Sequence, residues 1–334
     1  MQFTFLGTSA GTPTRQRNVT GLALQHGGPK GWYLVDCGEG TQHQLQRTHH
    51  SLVQLRAIFI THVHGDHSFG LPGLLASASM AGRTEPLPLI APGPIKAYVE
   101  TALAATDSHL GYDIEFIEVH ADGFQWQDGH VHVTTAALSH RVPTVAYVFT
   151  ERHLERQLLT DRLRADGIEA GPSWGELQRG RDVTLDDGRV LRSDDYTAIH
   201  RTPRRVVVGG DNDTPECLRE ACGGAQVLIH ESTYTQAVSD HVGPKPQHSS
   251  AQQVARFAEA VGLPNLVLTH FSSRYQFNHP SAPLIDEIEQ EARRFYSGNL
   301  RLARDFDRYR LERGGRLVAV TDEPAGEKSE PAAN

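Results

Sequence analysis

Short apolar runs alternate with turn-rich stretches along this chain, and the period of each run predicts an element. Residues 2–6 read as a strand that ends in the turn Gly7-Thr8-Ser9-Ala10-Gly11-Thr12-Pro13. Residues 21–25 and 31–37 predict a hairpin with 26–30 as its loop. Gly38-Glu39-Gly40-Thr41 then opens a helix to about residue 47. The run Ala57-Ile58-Phe59-Ile60-Thr61 reads as a buried strand, and Gly70-Leu71-Pro72-Gly73 leads into a helix to about residue 81. More strands are expected at 87–90, 115–119, 130–137, 205–208, 226–230 and 266–270. Helices are expected at 249–260, with Ser249 as N-cap, and at 284–295. The mixture predicts an α/β chain whose mixed sheets pack between helices.

Residues from about 152 to 195 break this rhythm. A helical pattern at 153–164 is followed by Gly171-Pro172, a second helical stretch at 174–179, and a small hairpin around Asp186-Asp187-Gly188. The segment reads as an arm inserted into a single domain of residues 1–320. An ordinary surface subdomain is the other reading. Residues 322–334 are polar and contain proline, and are expected to be disordered.

The 334 residues carry a formal net charge of −8, which speaks against a nucleic-acid partner unless a local basic face offsets it. Arginine is locally dense between residues 152 and 205. No apolar run approaches the roughly 20 residues of a membrane helix. No secretory leader is apparent, so a cytoplasmic location and no membrane partner are expected. Cys37, Cys217 and Cys222 form neither a metal pattern nor a disulfide framework.

The chemistry concentrates in His62-Val63-His64-Gly65-Asp66-His67, just after the strand 57–61. Imidazole nitrogens and carboxylate oxygens are the ligand set of zinc and similar ions. Gly65 is expected to let the turn fold back tightly. A surface cluster that binds nothing is the alternative, and the rest of the chain weighs against it. His140, Asp211 and His270 each follow an apolar strand, where functional groups converge on a sheet edge. With the first cluster they complete two sites of three ligands that share a carboxylate.

This ligand set resembles that of the metallo-β-lactamase superfamily. The resemblance implies an αββα sandwich with a dinuclear site on one edge. It would place His62, His64 and His140 on one metal and Asp66, His67 and His270 on the other, with Asp211 bridging. Two divalent ions are expected, zinc first, with manganese or iron also compatible. Phe5-Leu6-Gly7-Thr8-Ser9-Ala10-Gly11-Thr12-Pro13, Asp36-Cys37-Gly38-Glu39-Gly40-Thr41, His230-Glu231-Ser232-Thr233, His248-Ser249-Ser250 and His270-Phe271-Ser272-Ser273-Arg274-Tyr275 are similar, in order, to motifs of the ribonuclease Z family. Two departures are Ser232 for the family's Ala, and Asn212 where Gly-Asp-Thr is usual.

The resemblance implies an endonuclease that removes the 3′ trailer of precursor tRNA after the discriminator base. Asp66 would orient or deprotonate the attacking water, His248 would protonate the leaving 3′-oxygen, and Glu231 would orient His248. Gly171 and Pro172 would belong to a tRNA-binding exosite. A homodimer is implied, with one subunit's arm serving the other's site and residues 71–80 near the interface. A small-molecule hydrolase of the same fold is a second reading, against which the arm argues. A tRNA-binding protein with a degenerate site is a third, against which the intact ligand set argues.

Overall fold

The computed structural model describes residues 1–28, 31–121, 123–152, 154–277 and 282–321. Two mixed sheets stack face to face with helices outside each. The first runs in the order Leu317–Ala319, Arg308–Leu311, Gln2–Gly7, Gly21–Gln25, Trp32–Val35, Leu55–Phe59, Leu87–Ala91, Ile114–Glu118. Its last four strands are parallel and the rest antiparallel. The second runs in the order Asn299–Leu302, Asn265–Thr269, Val227–Glu231, Arg205–Val208, Thr144–Glu151, Val131–Leu138, Gln125–Gln127. Its first four strands are parallel and the rest antiparallel.

Strand alternation sorts the side chains into layers. Along Thr144–Glu151, Val145, Tyr147 and Phe149 enter the core between the sheets, while Ala146 and Val148 face the helices. Phe59 from the first sheet meets Tyr147, Phe149 and Trp126 from the second edge-on, with ring centroids 5.1–5.3 Å apart. Burying a ring of this size contributes about 1.5–3 kcal/mol, and each edge-on aromatic pair about 0.5–1.5 kcal/mol more. Helices Leu71–Met80 and Pro94–Ala105 cover the outside of the first sheet, and Ala251–Ala260 and Ile285–Arg293 the outside of the second.

Several elements differ from expectation. Strand Thr144–Glu151 and helix Pro94–Ala105 were not foreseen, nor were the last three strands. The helix expected at 153–164 is confined to Thr160–Ala165, because Gln157 and Leu158 pair with Ala198 and Thr197 as a short ladder. His153 lies outside the described residues, as do Pro29, Lys30 and the tail 322–334. The N-cap of helix Ala251–Ala260 is Ser250 rather than Ser249: its side chain accepts from the Gln253 N–H, and Gln253 bonds back to the Ser250 N–H. Ser249 instead donates to the Asn212 carbonyl. Between Glu151 and Arg205 the chain leaves the sheets. It builds a small apolar cluster of its own from Leu163, Ile168, Leu177 and Leu191, with Trp174 and Tyr196 packed against it. All three cysteines are free thiols, and Cys37 and Cys222 are buried.

Candidate metal centre

Seven candidate ligands meet at one edge of the sandwich because their strands run the same way. Trp32–Val35 and Leu55–Phe59 in the first sheet are parallel and deliver Asp36 and then Thr61 to His67. Val131–Leu138, Arg205–Val208, Val227–Glu231 and Asn265–Thr269 in the second sheet end at the same edge and deliver His140, Asp211, Glu231 and His270. The His62–His67 segment turns through the one-turn helix Gly65–Ser68. At Gly65 a Cβ would meet only the movable Phe69 ring. The glycine that close approach demands is Gly38, where a Cβ would sit 2.3 Å from the Asp66 carbonyl oxygen.

His62, His64, His140 and Asp211 lie together, as do Asp66, His67 and His270, and a third group, Asp211, His248 and His270, overlaps both. In the first, His64 Nδ1 is 3.1 Å from His62 Nε2 and 3.2 Å from His140 Nε2. In the second, the Nε2 atoms of His67 and His270 are 3.3 Å apart, and Asp66 Oδ2 is 3.5 and 3.4 Å from them. Asp211 stands between the groups. Its Oδ2 faces His62 and His140 at 3.6 and 3.7 Å, and its Oδ1 faces His67 and His270, each at 3.3 Å.

The outer ring nitrogens fix how these imidazoles face. His67 Nδ1 is 2.8 Å from Asp36 Oδ2, and His140 Nδ1 is 2.9 Å from the Gln247 carbonyl. Both partners only accept, so both rings carry a proton on Nδ1 and turn Nε2 toward the cluster, where it can serve as a ligand. The Thr61 hydroxyl donates to Asp36 and leaves its lone pair for His62 Nδ1 at 3.0 Å. Thr233 does the same, donating to Glu231 at 2.5 Å and facing His270 Nδ1 at 3.1 Å. Lone pairs pointed at one another within 3.5 Å repel unless a cation sits among them. Asp211 Oδ1 is moreover buried without a hydrogen-bond partner. The donor set therefore fits divalent metal ions, with the outer partners orienting each ligand.

Charge around the centre is tightly held. Burial pushes the Asp66 carboxyl up, but His67 and His270 beside it hold it below the ordinary carboxylate range. Its Oδ2 also accepts the Gly11 N–H at 2.8 Å. Burial lowers His62, His64 and His140, which favours the neutral ligand form. His248 Nδ1 is 3.0 Å from Glu231 Oε1. Burial pulls His248 down, yet the Glu231 carboxylate outweighs it and raises it to about 9. The His248 ring lies 5.3 Å from that of His140 and 5.5 Å from that of His270, beside the cluster. Three positions pay in backbone strain for their place here: Asp36 at φ 60°, Gln247 at φ 54° and His270 at φ 57°, about 1–3 kcal/mol each.

All eleven residues expected at the centre or in the arm lie among the described residues, and Gly171 and Pro172 alone stand away from the centre, at the start of the arm helix Pro172–Gln178. Asp36, Thr61 and Thr233 were not foreseen as parts of the centre. Asp36 carried the same sign as the others, a carboxylate just after an apolar strand.

Residues 1–142 match the family described as Anti-Pycsar protein Apyc1. A Ribonuclease Z from Marinobacter nauticus is 66% identical over 96% of this chain and 99% of its own. A Ribonuclease BN from Erwinia tasmaniensis is 43% identical over 86% of this chain and 94% of its own. Among solved structures, human tRNase Z, short form, shares the fold with a TM-score of 0.63 at 24% identity, covering 93% of this chain and 100% of that one.

Proposed function

This chain belongs to the ribonuclease Z family, and from that premise we propose that it is a metal-dependent endoribonuclease that removes the 3′ trailer of precursor tRNA. It cuts after the discriminator base and leaves a 3′-hydroxyl on the tRNA and a 5′-phosphate on the trailer. The observation that carries this reading is the convergence of seven ligands on one sheet edge with the His248–Glu231 pair beside them.

His62, His64 and His140 would hold one ion, Asp66, His67 and His270 the other, and Asp211 both. Two zinc ions, when bound, would lower the pKa of water and offset charge on the phosphodiester. Asp66 orients the attacking water and accepts its proton. His248, across the phosphate, gives the proton on Nε2 to the leaving 3′-oxygen. Glu231 bonds to Nδ1, keeps the ring aimed, and favours its protonated form.

Residues from about 152 to 195, with Gly171 and Pro172, form the substrate arm. The arm leaves the sheet at Glu151, and the strand Thr144–Glu151 runs away from the metal edge. Its eight residues span roughly 26 Å at about 3.3 Å each. An arm rooted there is placed to serve the centre of a second copy, which supports a homodimer. Phe69 and Met80, 62% and 92% exposed at the two ends of the helix Leu71–Met80, supply an apolar surface for it. No helix among the described residues is long and apolar enough to cross a membrane, and we place the enzyme in the cytoplasm with its substrate.

The test is purified protein with a 3′-extended precursor tRNA, metal content measured by elemental analysis, and both product ends mapped. Two ions per chain and a single cut after the discriminator base are expected. A 3′-phosphate on the tRNA product, or no cleavage with two ions bound, would overturn the reading.

A further inference from the structure

We propose that Glu151 and Arg201 act as a clamp that sets the angle at which the substrate arm leaves the body, and so position precursor tRNA without touching the reacting phosphate. The inference rests on the reading of residues 152–195 as a substrate arm.

The clamp lies at the edge opposite the metal centre. Glu151 is the last residue of its strand and is buried. Its carboxylate accepts five hydrogen bonds, all from the limb by which the arm returns. Oε1 accepts from Arg201 Nη2 at 2.9 Å and Arg204 Nη2 at 2.7 Å. Oε2 accepts from Arg201 Nη1 at 2.6 Å, Arg204 Nε at 3.1 Å and the Arg204 N–H at 3.2 Å. The Glu151 N–H in turn donates to the Arg204 carbonyl at 2.9 Å.

Two planar forks on one carboxylate fix direction as well as distance, which a single point contact does not. Arg204 is also tied to the body, through Leu311 O at 3.2 Å. Arg201 stands farther out, beyond Thr202-Pro203, and the proline between the two arginines restricts the backbone. Arg201 is thus the member that carries the body's orientation into the arm. On the outgoing limb, Arg152 next to Glu151 donates its N–H to the His130 carbonyl at 3.0 Å and its Nη1 to the Asp128 carbonyl at 2.6 Å, which fixes the point of exit; a further tie, Arg313 to Glu155, is exposed on both sides and holds little. The arm's apolar cluster is separate from the three clusters of the body, so packing does not fix the angle in place of the clamp.

A substrate gripped by the arm and cut at a metal centre meets the second site at an effective concentration set by how well the two are held relative to each other. Loosening the root spreads the arm over many angles. Binding weakens, while the chemistry of a correctly seated phosphate is unchanged.

The experiment compares full-length wild type, Arg201→Ala and Arg201→Lys, all metal-loaded, on a 3′-extended precursor tRNA and on bis(p-nitrophenyl) phosphate. For Arg201→Ala the precursor KM should rise about tenfold, with kcat and the rate on the small ester within about twofold of wild type. Arg201→Lys, which keeps charge but loses the fork, should fall between. Glu151→Gln should move KM in the same direction. If that variant fails to fold, the Arg201 pair still decides. A fourth protein, with residues 158–197 replaced by a short Gly/Ser linker, separates the two readings. If it cuts precursor tRNA normally, the arm reading fails. If it does not, and Arg201→Ala keeps a wild-type KM, the clamp is overturned and the arm stands. An equal loss on the small ester in Arg201→Ala would also overturn the clamp.

Discussion

Asn212, one of the two departures from the family pattern, uses every polar group it has. Its Nδ2 donates to His230 Nε2 at 3.0 Å, and its Oδ1 accepts the Ser139 and Thr214 N–H groups at 3.1 and 3.2 Å. Its own N–H donates to Glu231 Oε1 at 2.7 Å, and its carbonyl accepts from Ser249. The side chain therefore ties the loops that carry His140 and Asp211 to His230, while the backbone of the same residue holds Glu231 and the Ser249 beside His248. A threonine hydroxyl offers one donor and a shorter reach, and could not replace both ends of the amide. His230, which had no evident task in the sequence, is the buried acceptor that this amide needs. At the same scale, His248→Ala should slow precursor-tRNA cleavage by about 10²–10⁴-fold. A nitrophenyl phosphodiester, whose leaving group departs readily as an anion, should be slowed much less, with metal content unchanged. Equal losses on both substrates at full metal occupancy would assign His248 to binding or positioning of the phosphate instead.

Among the elements, the helix Ala251–Ala260 shows how local chemistry braces the site. Its cap Ser250 follows His248 and Ser249 directly, so the reciprocal bonds with Gln253 also anchor the chain that carries the general acid. Ser250→Ala should cost about 1 kcal/mol, read as a Tm lower by about 1–2 °C in a thermal melt. No change would mean that the cap is replaced by water or by Ser249. Elements with a clear period were legible in the sequence, including the strand Leu55–Phe59 and the helices Leu71–Met80 and Ile285–Arg293. The ligands were legible for a related reason, since each follows a strand that had been recognised. Thr144–Glu151 was missed although six of its first six positions are buried: the run is apolar on both faces and lacks alternation. The stretch at 153–164 had helical spacing, and a pairing with Thr197–Ala198, some forty residues away, overrode it at Gln157 and Leu158. Thr233 acts through the ring it touches, and nothing local in the sequence marks such a contact, whereas Asp36 stood just after an apolar strand as the ligands do.

For the whole molecule, the acidic balance is not offset by a bare basic face on the arm. Between residues 152 and 205 eleven arginines meet ten carboxylates. Arg156, Arg179, Arg181 and Arg189 each pair with one of them. The apolar surface at Phe69 and Met80 gives the prediction that belongs to this scale. Met80→Glu places a charge on a side chain 92% exposed in the single chain. It should leave the fold intact and shift sedimentation equilibrium from dimer to monomer. A dimer of unchanged strength would move the interface elsewhere. The ligands themselves come from both layers: His62, His64, Asp66 and His67 from the first sheet, and His140, Asp211 and His270 from the second. Any cation held among them is therefore a rivet through the sandwich, closing the edge that the side chains alone would force apart. Folding and metal supply become one linked equilibrium. A free-ion concentration a hundredfold above the dissociation constant adds about 2.7 kcal/mol per site to the native state, so scarcity of metal is felt first as a loosening of the fold.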